Sequence, residues 1–170
     1  MGGDLVTITS RVPALIDYLY NLFTADATLG TAPAPGTVTV YDGPATTGLD
    51  PPLKLFVGLT DPDNKGIEPA ADFTQSWAAI GRRGRNEQVT IHCCAEAWSG
   101  VDDIRTLRVA AYGIVSAVET LMQADTTQFG GNVLFPDPGL TAMALLQNNT
   151  ATGAIARVTF DLIFKSRIGG

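Results

Sequence analysis

Apolar positions recur at helical spacing first in RVPALIDYLYNLFTAD. Val12, Leu15, Ile16, Leu19, Leu22 and Phe23 fall on one stripe there. Ser10 stands at a capping position, and Pro13 is tolerated in a first turn. The second helical segment is the clearest, SGVDDIRTLRVAAYGIVSAVETLMQAD. Ile104, Leu107, Ala111, Ile114, Val115, Val118, Leu121 and Met122 make its apolar stripe. Ser99 followed by Asp102 predicts a start resembling a capping box, with Asp102 and Asp103 favouring the positive end.

Elsewhere the period is two. Short runs at Val38 to Asp42 and Leu53 to Leu59 read as strands, the second with Leu53, Leu55, Val57 and Leu59 on one face. FTQSWAAIG reads as a strand running into the stretch that holds the next one, EQVTIHCCAEAW. Near the end, AIARVTFDLIFKSRI alternates well. Val158, Phe160, Leu162 and Phe164 face in, and Arg157, Thr159, Asp161 and Lys165 face out. A short strand at Val133 to Phe135 is weaker, and LTAMALLQ suits either a strand or a turn of helix. GTAPAPGT, GPATTGLDPP, TDPDNKGIEPAAD and TTQFGGNVLFPDPG read as loops. The order is helix, strands, helix, strands, with neither repeats nor a linker. It predicts one α+β domain over 1–170: a mostly antiparallel sheet, two helices packed on one face, and long Gly/Pro-rich loops.

The composition fits this reading. Of 170 residues 45% are hydrophobic and 16% charged, a globular balance. The net charge of −6 works against general nucleic-acid binding. No apolar run approaches a membrane span. MGGDLVT lacks the basic, apolar character of a signal peptide. The two cysteines are adjacent, Cys93 and Cys94, which an extended strand cannot join, so free thiols are expected.

Rare residues cluster in GRRGRNEQVTIHCCAEAW, from Gly81 to Trp98. As a strand it puts Val89, Ile91, Cys93, Ala95 and Ala97 on one face. Thr90, His92, Cys94, Glu96 and Trp98 share the other. His92, Cys94 and Glu96 therefore sit together, superficially like a metal or thiol site. Yet zinc wants four ligands, and the chain has no second His and no further Cys. A catalytic Cys–His pair needs a thiolate at a helix start or in a basic pocket, whereas Cys94 lies mid-strand. The plainer reading makes Cys93 a small buried apolar residue and His92 a polar outward one. GRRG matches the short RNA-clamping loop of KH domains, but that loop joins two helices and this one precedes a strand. Arg82, Arg83 and Arg85, in a loop ahead of the strand, serve either solubility or the docking of an acidic partner surface. Asp61, Asp63, Gly66 and Asp72 fall at calcium-loop spacing, although Lys65 occupies a ligand position and no helices flank the loop. No recognised catalytic motif is present, so neither an enzyme nor a cofactor is expected.

As an arrangement, most of the chain resembles the tail terminator proteins of long-tailed bacteriophages. The resemblance rests on PALIDYLYNLFTAD followed by VYDGP, and on PLKLFVGL. It continues through EQVTIHCCAEAWSGVDDIRTLRVAAYGIVSAVETLM to ARVTFDLIFKSRI at the end. The TAPAPGT and DPDNKGIEPAAD stretches depart from a minimal member. The resemblance implies a virion structural protein without catalytic or ligand residues. It would form a hexameric ring on the head-proximal end of the tail tube and stop polymerisation of the tube. Its partners would be copies of itself, the major tail tube protein and the head–tail connector or stopper. Genomic DNA would pass through without specific binding, as an acidic channel favours. Another neck, connector or tail tube protein is the nearest alternative. A small metal- or thiol-dependent enzyme centred on His92 and Cys94 is the alternative of another class.

Overall fold

The structure, a computed structural model, describes residues 9–30, 37–46, 50–79, 84–134 and 139–169. A seven-stranded sheet carries the helices α1 (Val12–Thr24) and α2 (Ile104–Ala124). The strands are β1 (Leu29–Gly30), β2 (Val38–Asp42), β3 (Leu53–Val57), β4 (Ala71–Trp77), β5 (Arg85–Ser99), β6 (Gly139–Thr150) and β7 (Gly153–Ile168). They run in the order β1-β2-β3-β5-β7-β6. β4 pairs with the first half of β5, and β3 pairs with the second half. The pairs β1/β2 and β2/β3 are parallel and the rest antiparallel, so the α+β class and the mostly antiparallel sheet hold.

The two helical stripes meet one face of this sheet. Leu15, Leu19 and Phe23 of α1 and Leu107, Ala111, Ile114, Val115, Val118 and Met122 of α2 are buried there. They share the core with Val89, Ile91, Cys93, Ala95 and Ala97 and with Val158, Phe160, Leu162 and Phe164. Full burial of one such aliphatic side chain stabilises by about 1.5–3 kcal/mol, which fixes the register of β5 and β7. We call this the helix face and the opposite one the second face.

Several boundaries differ from the sequence expectation. Ser99 does not start α2: β5 extends through it, paired with Ala154 of β7. Its Oγ instead accepts from Val101 N and Asp102 N, closing the turn after the strand. The cap is Asp103, extended at ψ 162°, whose carboxylate accepts from Thr106 N at 2.8 Å. Likewise Ser10 Oγ accepts from Val12 N at 3.1 Å, but the residue at the cap position of α1 is Arg11. LTAMALLQ is strand throughout, part of β6, with a bulge between Thr141 and Ala144 where Ala142 has φ 51°. Of the strand expected at Val133 to Phe135, Leu134 N bonds to Lys165 O at 2.9 Å, and Phe135 lies outside the described residues.

Two elements were not anticipated. β1 is only two residues long. The segment α3 (Gln128–Gly131) is a single left-handed turn, with φ between 52° and 79° at Gln128, Phe129, Gly130 and Gly131. It drives Phe129 edge-on against Phe164 and Tyr18, at ring separations of 5.1 and 5.9 Å. Asp125 holds the turn by accepting from the Thr127 and Phe129 N–H groups.

Candidate functional site

The register of β5 divides the rare-residue cluster as its alternation predicts. Cys93 lies in the main core, whereas His92, Cys94 and Glu96 point to the second face. That face is less open than an outward row would be. Cys94 and Glu96 are both buried, Cys94 against Phe56 and Leu59 with Tyr41 stacked on Phe56.

The cover comes from the loop at 58–70. β3 ends opposite Cys93 and β4 begins opposite Ile91, so the loop leaves and returns around His92. His92 O accepts from Gly58 N at 2.7 Å and Leu59 N at 3.2 Å, and His92 N donates to Ala70 O at 3.1 Å. Gly58 makes the exit with φ +79°, and a Cβ there would meet that of Ala70 at 3.3 Å. This turn breaks the alternation of β3. Leu59 therefore joins Phe56 and Cys94 instead of sharing a face with Leu55 and Val57.

The aspartates of TDPDNKGIEPAAD divide between Arg157 and His92. Arg157 on β7 meets Asp63 at 2.7 Å and Asp61 at 3.5 Å. Asp72 instead meets His92 Nε2 at 3.2 Å. Glu68 turns inward on the loop and accepts from Thr60 N and Asp61 N. The spacing that resembled a calcium loop is thus drawn to a guanidinium and an imidazole. Among the described residues no group of three or more His, Cys, Asp or Glu is arranged to hold a metal.

Arg157 belongs to a charged row across three strands. Lys54, Glu96 and Arg157 are direct neighbours in the register of β3, β5 and β7. Glu96 accepts from Lys54 Nζ at 2.7 Å and from Arg157 Nε at 2.6 Å, and Lys54 also bonds Asp50. Burial alone would depress both cations. Hydrogen bonds and charges from Asp50 and Glu96 outweigh it at Lys54, and those from Asp63 and Glu96 outweigh it at Arg157, so both are raised. The Asp63 carboxyl is lowered chiefly by its hydrogen bond to Arg157. Sequence reading missed this row. Strand alternation marks Arg157 as outward, but only the register shows that it faces Glu96 and Lys54.

His92 has both ring nitrogens engaged, Nδ1 with Asp161 at 2.7 Å and Nε2 with Asp72. Burial would lower its pKa, but the Asp161 and Asp72 interactions outweigh this and raise it. The thiols are the reverse of activated. Burial pushes Cys93 far up, and it pushes Cys94 up to about 12. At neutral pH neither supplies useful thiolate, and His92 is committed to carboxylates.

Of the candidate contact residues, Arg82 and Arg83 lie outside the described residues. Arg85 does not sit in a loop ahead of the strand; it is the first residue of β5, paired with Trp77 and Ile168. Its Nη1 donates to Gln75 Oε1 at 2.9 Å. Gln75 Nε2 in turn donates to Glu87 at 2.9 Å and Thr9 O at 2.7 Å. Buried Glu87 also accepts from Arg11 N at 2.8 Å, tying the start of α1 to the sheet. No protein-family model matches the chain, and neither does any curated protein sequence. No helix among the described residues is long and apolar enough to cross a membrane.

Proposed function

We propose that this chain is a structural protein of a long-tailed phage tail. It forms a homo-hexameric ring that caps the head-proximal end of the tail tube, stops tube polymerisation and presents the head-joining surface. The observation that carries the reading is the arrangement. Helix, strands, helix and strands follow in the order the resemblance implies, on one sheet with both helices on one face. The chemistry of the second face supports it. Its conspicuous polar residues are bound to one another, so they fasten a loop to the sheet instead of standing ready for a substrate. A net charge of −6 suits a ring through which DNA must slide without sticking.

The test is to add the purified chain to the polymerising tube protein, and separately to head connectors, and to examine the products by electron microscopy. Six-fold rings at tube ends and arrested growth are expected. Tubes that elongate at the same rate, with bare ends, would overturn the proposal. Rings found at the head connector but never on tubes would assign the chain to the neck.

A further inference from the structure

β6 forms one edge of the sheet, and among the described residues it pairs with β7 alone. Natural edge strands are usually blunted by charge, proline, bulges or cover. From Gly139 to Ala156 the sequence has no charged residue and no proline. The bulge occupies only the start of β6, leaving seven regular residues, Ala144–Thr150. Their exposure includes large apolar side chains, with Leu146 at 52% and Met143 of the bulge at 53%. Leu145 lies on the helix face opposite Val158, and Leu146 lies on the second face opposite Arg157. The edge is therefore uncharged, with one leucine on each face and a polar end at 147–150.

β4 is the counterpart. It flanks β5 on the side away from β7, and its other edge is unpaired among the described residues. It too has seven residues, and Phe73 and Trp77 are 52% and 70% exposed. Its single charge, Asp72, is occupied by His92. The two edges, unpaired among the described residues, thus match in length, lack unpaired charge and lie on opposite sides of one sheet.

We infer that the β6 edge of one copy of this chain pairs with the β4 edge of the next. Unlike edges on opposite sides make a head-to-tail contact, which closes into a ring or continues as a helix; a two-fold pairing of β6 with itself would stop at a dimer. Copies carrying −6 each repel, and contact through uncharged strands brings no like charges together at the seam. The inference rests on the ring proposed above for closure and names the surfaces that make it.

The experiment uses the full chain and two double variants. Met143→Lys with Leu146→Lys charges β6, and Phe73→Lys with Trp77→Lys charges β4. Sedimentation velocity is run at about 0.1 M and about 0.5 M salt, which separates apolar pairing from contacts made by arginines. Each variant alone is expected to lose association by about ten-fold or more, while an equimolar mixture forms heterodimers through its one intact pair of edges. Wild-type assembly should hold or strengthen as salt rises, because screening relieves the repulsion between copies, whereas contacts made by arginines would weaken. Circular dichroism checks the fold, and Leu146→Lys alone replaces the β6 pair if the double variant unfolds. Variants that assemble like wild type would overturn the edge inference and leave the ring standing. Charged-β4 chains that still dimerise, or a mixture without heterodimers, would overturn it also. A wild-type chain that never self-associates, on tubes or off them, would overturn both.

Discussion

Removing Glu96 should cost far more than removing the other carboxylates of its row. Glu96 is 3% exposed and bridges Lys54 and Arg157, whereas Asp50 and Asp63 are 66% and 76% exposed. Glu96→Ala leaves two largely buried cations whose remaining partners lie in solvent. Breaking a buried pair in this way costs about 3–5 kcal/mol, whereas an exposed pair is worth about 0–1. In a chain of this size 1 kcal/mol moves Tm by about 2–4 °C, so Glu96→Ala should lower Tm by roughly 6–20 °C. Asp50→Ala and Asp63→Ala should each lower it by less than about 4 °C. Calorimetry on the three variants measures this directly. A triple variant with Lys54→Met, Glu96→Leu and Arg157→Met should recover most of the loss, because it buries no charge. Equal costs at Glu96 and Asp63, or a triple variant as unstable as Glu96→Ala, would show that Glu96 does not hold the two cations in the sheet.

Three further perturbations probe other parts of the fold. The folded pKa of His92 is raised, so its contribution to stability is complete below the ordinary value of about 6.5 and is lost as pH rises through the folded value. The Tm difference between wild type and His92→Gln should therefore be larger at about pH 5.5 than at about pH 8.5, and parallel curves would contradict a stabilising role for the His92 contacts with Asp161 and Asp72. Gly153 sits at φ +154°, where a Cβ would stand 2.4 Å from Ser99 O. Gly153→Ala should cost about 2 kcal/mol or more, read in a urea melt, and a neutral result would show that this hairpin end yields easily. A thiol-reactive dye at pH 8 should label Cys93 and Cys94 only after denaturation, since both are buried; rapid labelling of the native chain would contradict the cover over Cys94.

The parts of this molecule legible in the sequence are those governed by local period. The stripes of α1 and α2 and the alternation of β5 and β7 each face a buried core, and burial enforces the period. What escaped depends on contacts between distant segments. Gly58 redirects Leu59 because the loop must reach back to His92, and the glycine within LKLFVGL marks a break without showing where the chain turns. The partners of Arg157 lie on β5 and in the 58–70 loop, so its role is invisible until the register is known. Phe129 reaches the core through a left-handed turn that the adjacent Gly130 and Gly131 favour but do not dictate. At the start of α2 two acceptors competed, and pairing of Ser99 with Ala154 left the cap to Asp103. The cluster in GRRGRNEQVTIHCCAEAW separates for the same reasons. Its cysteines pack, its His and Glu anchor a loop and a neighbouring strand, and Arg85 joins the sheet.

A ring that ends a tube is tested by the length distribution of tail tubes assembled with and without this chain, with end views of the products. Growth should stop wherever a six-fold ring has bound. Unchanged tube lengths, and ends without an added ring, would contradict it.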